Sequence, residues 1–193
     1  KLVAGLKIDG QDVALQTDFQ SNDGLVRLDA LRAAIGANVV SGALSLDRAF
    51  LPNGTLDAKL ADMATLARLA GQSAMDGSLS GKINFASTDS KLAANAEFSG
   101  SHITVTGVDI VKPTLALQSA DVLARQATAR IGAESVVSGS NRLDNIEADI
   151  SLSGNKIDYS FTSQYDQAPL SLAGSADIGE EGVAITLSSL SAQ

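Results

Sequence analysis

The sequence predicts a mainly β protein: a curved antiparallel sheet folded into an open trough, with one or two short helices. Three observations lead there. A two-residue beat of apolar and polar side chains recurs along most of the 193 residues. Short turn-forming stretches separate the beats. Helical spacing is confined to one or two brief segments. A period of two is the mark of a strand with one buried and one wet face.

The beat is plainest in the middle and toward the end. Leu79, Gly81, Ile83 and Phe85 alternate with Ser80, Lys82 and Asn84; Leu92, Ala94, Ala96 and Phe98 alternate with Ala93, Asn95 and Glu97; Ile157, Tyr159 and Phe161 alternate with Asp158 and Ser160. In chain order, strands are expected at about 2–7, 13–19, 25–33, 38–46, 55–60, 78–86, 91–98, 102–106, 113–119, 135–139, 146–153, 156–164, 169–176 and 182–188. Asp9-Gly10, Asn22-Asp23-Gly24, Gly36-Ala37-Asn38, Pro52-Asn53-Gly54, Ser87-Thr88-Asp89-Ser90, Gly154-Asn155 and Gly179-Glu180-Glu181-Gly182 supply turns. Connections this short make hairpins, so neighbouring strands run antiparallel in a meander.

Two segments break the beat. Over 62–70, Met63, Leu66, Ala67 and Ala70 fall at helical spacing, with Asp62 able to cap the start and Gly71 the end. The stretch 120–130, with Val122, Leu123 and Ala127, reads as a second short helix or as a strand pair. A loose unit, small-Gly-x-apolar-x-apolar, appears at Ser41–Leu46 and in variant form at Ser80–Phe85, Ser153–Ile157 and Ala173–Ile178. Its irregular spacing is not that of a solenoid. Glycine inside a strand marks a bend or a bulge, so the repeated unit predicts a curved sheet.

Composition narrows the function. Net charge is −8 and no Lys/Arg cluster is present, which excludes the phosphate neutralisation that nucleic acid requires and electrostatic docking on an anionic membrane. With no cysteine, a disulfide framework, a thiolate metal site and a cysteine nucleophile are all impossible. No run of 18 apolar residues occurs, so no helix is expected to span a bilayer. The chain opens on Lys1 in strand-like sequence and closes in it, as expected of a segment of a longer chain.

Chemistry-bearing patterns are missing. The single histidine, His102, shares parity with Thr104 and Thr106 on the polar side. One histidine supports neither a triad nor a multi-histidine metal site. Asp9, Asp23, Asp89 and Asp144 sit where turns favour them, and Glu180-Glu181 reads as a solvated hairpin tip. No phosphate-cradling loop or calcium loop is found. No enzymatic activity, cofactor or metal is expected.

The apolar face remains as the candidate site. Low aromatic content, 4% with no Trp, gives it a smooth aliphatic lining. Parity assigns to it Val13, Leu15, Phe19, Leu44, Leu46, Leu79, Ile83, Phe85, Leu92, Phe98, Ile103, Val105, Leu115, Leu117, Ile146, Ile150, Leu152, Ile157, Tyr159, Phe161, Leu170, Leu172, Ile185 and Leu187. With so little helix to cover it, the sheet either closes into a self-packed sandwich or stays open as a trough for lipid acyl chains. An adhesin or autotransporter passenger built as a parallel β-helix is a rival, as is a chaperone-like sheet that pairs client strands at its edge.

The run from Val26 to Leu46, and the run from Asn53 to Gly71 with its Gly-x-Leu-x-Ala-x-Leu strand followed by a short helix, resemble hairpins of AsmA-like proteins, above all the TamB family (translocation and assembly module, inner-membrane-anchored subunit). Gly77 to Leu117, with Val111-Lys112-Pro113-Thr114-Leu115, is similar to that family's central repeat. The resemblance spans roughly residues 10–190 and rests on small and apolar residue patterns. It implies that 1–193 is a single β-taco segment, internal to a longer periplasmic protein anchored in the inner membrane of a Gram-negative bacterium. It also implies phospholipid passage between membranes, outer-membrane protein assembly, and an Omp85-family barrel partner (TamA or BamA) for the full-length protein. No catalytic residues come with the resemblance.

Overall fold

The computed structural model describes residues 1–72, 75–179 and 182–192. Five strands open the chain: β1 (Leu2–Ile8), β2 (Gln11–Asn22), β3 (Leu25–Ile35), β4 (Asn38–Leu46) and β5 (Pro52–Leu60). The helix α1 (Met63–Leu69) follows. Then come β6 (Met75–Gly77), β7 (Leu79–Thr88), β8 (Lys91–Ser99), β9 (His102–Val105), β10 (Val108–Val111) and β11 (Thr114–Asp121). Five long strands end the described chain: β12 (Gln126–Ser138), β13 (Asn141–Ser153), β14 (Lys156–Tyr165), β15 (Ala168–Ile178) and β16 (Val183–Ala192).

All sixteen strands belong to one open sheet, and every pairing in it is antiparallel. Its main path has thirteen positions, from β1 through β5, β7, β8 and β11 to β16. The short strands β6, β9 and β10 extend the same ladder at its side, β6 on β9, β9 on β10, and β10 on the far half of β12. The antiparallel pairing is incompatible with a parallel β-helix, and the sheet does not close into a sandwich.

The helix forms as its sequence requires. Asp62 accepts from the Thr65 backbone N–H at 2.9 Å and from the Thr65 hydroxyl at 2.6 Å. Beyond the last turn, Gly71 takes a φ of +70°, the left-handed geometry that ends a helix cheaply only at glycine. Asn38 pins α1 to the sheet: its amide donates to the Asp62 carbonyl at 2.8 Å and its carbonyl oxygen accepts from the Asp62 N–H at 2.9 Å.

The stretch 120–130 is not a helix. Val122–Arg125 make a turn, closed by Arg125 N–H donating to Val122 C=O at 3.1 Å, and β12 begins at Gln126. The Ala-rich composition favours helix, but Ala127, Ala129 and Ile131 are matched by Leu152, Ile150 and Ala148 across the ladder. That cross-strand register overrides the local propensity. The strands β6 and β10 are additional to those read from the sequence, while the Glu180-Glu181 hairpin tip lies outside the described residues.

Curvature has a located cause. Between the row Gly81–Phe98–Leu115–Ile131–Ala148–Phe161 and the row Gly77–Ile103–Ile110–Val136–Leu143–Tyr165, the outer two positions are four residues apart. The four positions between them are five apart. One extra residue therefore runs through β8–β9, β10–β11, β12 and β13 along a single line. An extra residue bends its strand and sharpens its twist, so the four strands crease together. Asn145, at φ +53°, carries the extra residue in β13. A smaller crease lies in β3, where Ala30 takes φ +50° opposite Thr17. The Thr17 hydroxyl donates to the Asp29 carbonyl at 3.0 Å, which satisfies an acceptor beside that bulge.

Two predictions follow from these features. Ala30→Gly should raise stability in urea titrations by up to about 1 kcal/mol, because glycine removes the left-handed penalty, whereas Ala30→Val should lower it by about 1–2 kcal/mol. The Thr65 hydroxyl and backbone N–H, with Arg68 nearby, hold the Asp62 carboxyl below its ordinary pKa. A depressed carboxylate stabilises above its unfolded pKa and loses that contribution as pH falls through the folded value. Asp62→Asn should accordingly keep the cap but flatten the acid limb of a Tm-against-pH curve. Asp62→Ala should lower Tm at neutral pH as well.

Candidate functional site

Cross-strand register assembles the apolar side chains into rows that run across the strands. One row crosses all thirteen ladder positions: Ala4, Leu15, Ala33, Val40, Ala58, Gly81, Phe98, Leu115, Ile131, Ala148, Phe161, Leu172 and Leu190. No member is polar. The adjacent row runs from Leu31 through Gly42, Leu56, Ile83, Ala96, Leu117, Ala129, Ile150, Tyr159 and Gly174 to Leu187. Beyond it, Phe19, Leu28, Leu44, Gly54, Phe85 and Ala94 align on one half, and Ala127, Leu152, Ile157, Ala176 and Ile185 on the other. At strand spacings of about 4.8 Å, thirteen positions make a band about 58 Å long. Three rows about 6.8 Å apart make it about 14 Å wide from first row to third.

Among the described residues no second sheet is present to cover this band. Apart from α1 against β6, the substantial contacts between elements join hydrogen-bonded neighbours. Accessible surface totals 11906 Å² for 19.7 kDa, against about 8,600 Å² for a compact monomer of that mass. The only hydrophobic residues fully buried among those described are Ala58, Ala67, Ala94, Ile103, Ile146 and Ala176. Most of the others on the face are half-buried, because neighbours shield their flanks and nothing caps their tips. An exposed apolar area on the order of 1,000 Å² exceeds what monomers ordinarily tolerate and marks a surface that binds something.

Side chains at the crease are among the least accessible in the sheet: Ile103, Ile146 and Ser163 are 8%, 9% and 5% exposed. Glycines let aromatic rings lie flat across it. A Cβ added at Gly81 would come within 2.5 Å of the Phe98 ring, and one at Gly174 within 2.5 Å of the Tyr159 hydroxyl. Each ring covers the backbone of the strand beside it and keeps the floor low.

The sequence-assigned residues fall into these rows as follows. Leu15, Phe98, Leu115, Phe161 and Leu172 lie in the first; Ile83, Leu117, Ile150, Tyr159 and Leu187 in the second; Phe19, Leu44, Phe85, Leu152, Ile157 and Ile185 in the third. Val13, Leu79, Ile146 and Leu170 flank the first row, Ile103 and Val105 lie beyond the crease, and Leu46 and Leu92 lie outside the third. Phe19, Ile185 and Leu187 are exposed. Parity reading missed Leu31, whose alternation is broken by the Ala30 bulge, and Ile131 and Val136. Ile131 falls between the stretch 120–130 and the next expected strand, and Val136 lies beyond the line of extra residues, where the parity of β12 reverses. Ile110, Leu143, Val40 and Leu56 also belong to the face, and the cross-strand pattern was the signal that would have found them.

The opposite face is polar, and several of its charges are paired. Lys82 pairs with Asp57 at 3.7 Å, Arg130 with Asp149 at 2.7 Å and Lys156 with Asp158 at 3.1 Å. The hydrogen bond that Arg130 donates to the Asp149 carboxylate pushes the Arg130 pKa further up. Exposed pairs of this kind contribute little stability. Two depressions of about 620 and 670 Å³ lie on this face, lined by side chains such as Gln118, Thr128, Arg130 and Asp149 in one and Lys82, Glu97 and Thr114 in the other. Both are open, and they hold the paired Lys82–Asp57 and Arg130–Asp149 side chains together with Glu97.

His102 lies on the β9–β10 hairpin, with Nε2 3.2 Å from Asp109 Oδ1, an oxygen that also accepts from the Thr104 hydroxyl at 2.7 Å. Among the described residues no group of three or more His, Asp or Glu side chains is placed to hold a metal ion, and no helix is long and apolar enough to cross a membrane. Comparison of the chain with protein-family models, curated proteins and solved structures finds no match.

Gly81→Ala tests the floor. The added methyl collides with the Glu97 carbonyl and the Phe98 ring. It should cost about 1–3 kcal/mol and raise the accessibility of Gly81's neighbours to an environment-sensitive apolar dye.

Proposed function

We propose that this chain is a non-enzymatic segment of a periplasmic conduit and that its apolar face carries phospholipid acyl chains between the inner and outer membranes. The observation behind the reading is the band of apolar rows, one of them unbroken across all thirteen strands, on one face of an open sheet. Acyl chains gain about 0.8 kcal/mol for each CH₂ they bury. Against a lining without directional groups, that gain is nearly the same at every strand. Such a surface retains a chain while letting it move along the rows.

The resemblance of 10–190 to the TamB family supports the same reading and adds its setting. In it, the segment belongs to a longer protein anchored in the inner membrane of a Gram-negative bacterium, which meets an Omp85-family barrel, TamA or BamA, and supports outer-membrane protein assembly. The polar face, with its paired charges, would then face the aqueous periplasm.

Mass spectrometry of lipids extracted from the purified chain tests the proposal. Phospholipid should co-purify with the wild type, and Ile83→Lys or Phe98→Lys should abolish it while leaving the β-sheet circular dichroism intact. A wild-type chain that is lipid-free and takes up no phospholipid from vesicles would sink the idea.

A further inference from the structure

We propose that two turns on one rim of the sheet are apolar prongs that anchor this chain on the surface of a bilayer. In the antiparallel ladder the connections β2–β3, β4–β5, β7–β8, β11–β12, β13–β14 and β15–β16 all fall on one rim. Two of them, 47–51 and 122–125, hold the only exposed large hydrophobic side chains outside strands among the described residues. These are Phe50 at 71%, Val122 at 42% and Leu123 at 60%. On the opposite rim, strands that join directly do so through Asp9-Gly10, Gly36-Ala37, Thr106-Gly107, Gly139-Ser140 and Asp166-Gln167, with no large apolar residue in any of these turns.

The two turns share one construction. Each starts from an aspartate whose Oδ1 accepts backbone N–H groups ahead of it. Asp47 takes those of Ala49 at 2.8 Å and Leu51 at 2.9 Å, and Asp121 takes those of Leu123 at 3.1 Å and Ala124 at 3.4 Å. An arginine ties each turn to the neighbouring hairpin on the same rim. Arg48 Nε donates to the Asp23 carbonyl at 3.3 Å, and Arg125 Nη1 donates to Asn155 Oδ1 at 3.0 Å. Phe50 is held at φ +60°, a conformation that costs a bulky residue energy and persists only where its surroundings impose it. A braced backbone therefore presents these apolar side chains outward.

Charge and spacing select a bilayer as the occupant. Each prong, with its aspartate, carries one acid and one arginine and is neutral. It enters a lipid interface by burying apolar surface and needs no anionic headgroups, which a chain of net charge −8 would repel. Four ladder positions separate the prongs, about 19 Å at strand spacing, and the turn between them, Asp89-Ser90, is polar. A protein partner needs roughly 800 Å² per side with a continuous apolar centre, which two separated tips do not offer. A bilayer interface accepts each tip independently. Leu46 and Leu92 stand between the apolar band and the prongs: Leu46 precedes Asp47, and the Leu92 carbonyl accepts from the Val122 N–H at 2.7 Å. This rim is then where acyl chains pass between a bilayer and the band, and only that last step rests on the lipid reading.

The chain has no tryptophan, which makes single reporters clean. Phe50→Trp and Leu123→Trp chains should shift their emission to shorter wavelength on phosphatidylcholine vesicles. They should lose about half of it or more when the acyl chains carry bromine near the headgroup end. Ser140→Trp, on the opposite rim, should do neither. The F50N/L123N double variant keeps the turns, because asparagine tolerates a left-handed backbone. It should cut vesicle co-sedimentation at least ten-fold with the β-sheet circular dichroism unchanged. Ile83→Lys should leave vesicle binding as it is, and the double variant should still co-purify with phospholipid, so failure of the prongs and failure of the apolar band are separately visible. Reporters that respond alike on both rims would overturn the proposal. So would vesicle binding undiminished in the double variant, or reporters that respond to a second copy of the chain or to another protein but never to vesicles.

Discussion

Each internal strand of this protein is held by its two hydrogen-bonded neighbours and by almost nothing on its faces. The antiparallel ladder is therefore the constraint from which the rest of the structure follows. In a globular domain, burial against a second layer supplies most of the stabilisation. Here, apolar burial comes from side chains leaning on the next strand in the same row, such as Phe98 across Gly81 and Tyr159 across Gly174. Stability is then spread along the sheet, much as in repeat architectures where each unit touches only its neighbours.

The creases bend that ladder. Inserting one residue in four consecutive positions bends them together, and Ile103, Ile146 and Ser163 at the angle are buried. The buried hydroxyls mark the places where bending disturbs the ladder. Thr17 bonds the Asp29 carbonyl beside the Ala30 bulge, and Ser119 bonds the Gln126 carbonyl at 2.6 Å beside the irregularity between Gln118 and Asp121. Ser135 and Ser163, beside the Asn145 bulge, are buried without a protein partner. Two faces of opposite character follow from the same backbone: a largely apolar one, and a polar one that carries the charged side chains, several of them paired.

Sequence and structure agree most closely where the two-residue beat is regular. Leu79 to Phe85, Leu92 to Phe98 and Ile157 to Phe161 are strands with the expected faces, and the helix over 62–70 follows from its cap and its terminating glycine. Agreement fails where a single residue shifts the phase. In β3, Leu31 sits on the apolar face because Ala30 is an extra residue, and counting by twos from Val26 misses it. In β12, Ala127 to Arg130 has the composition of a helix but belongs to one of the two longest strands of the sheet, because its partners on β13 fix it there.

The sequence by itself determined the kind of object: an antiparallel, amphipathic, mainly β chain. Alternation and turn residues are local properties, and they specify local structure directly. Only the tertiary structure decided that the sheet stays open, that its apolar residues align into rows across thirteen strands, and that the rows bend along one line. Register and closure arise from pairings between residues far apart in the chain. A one-residue insertion that looks like noise in the beat changes which side chains meet.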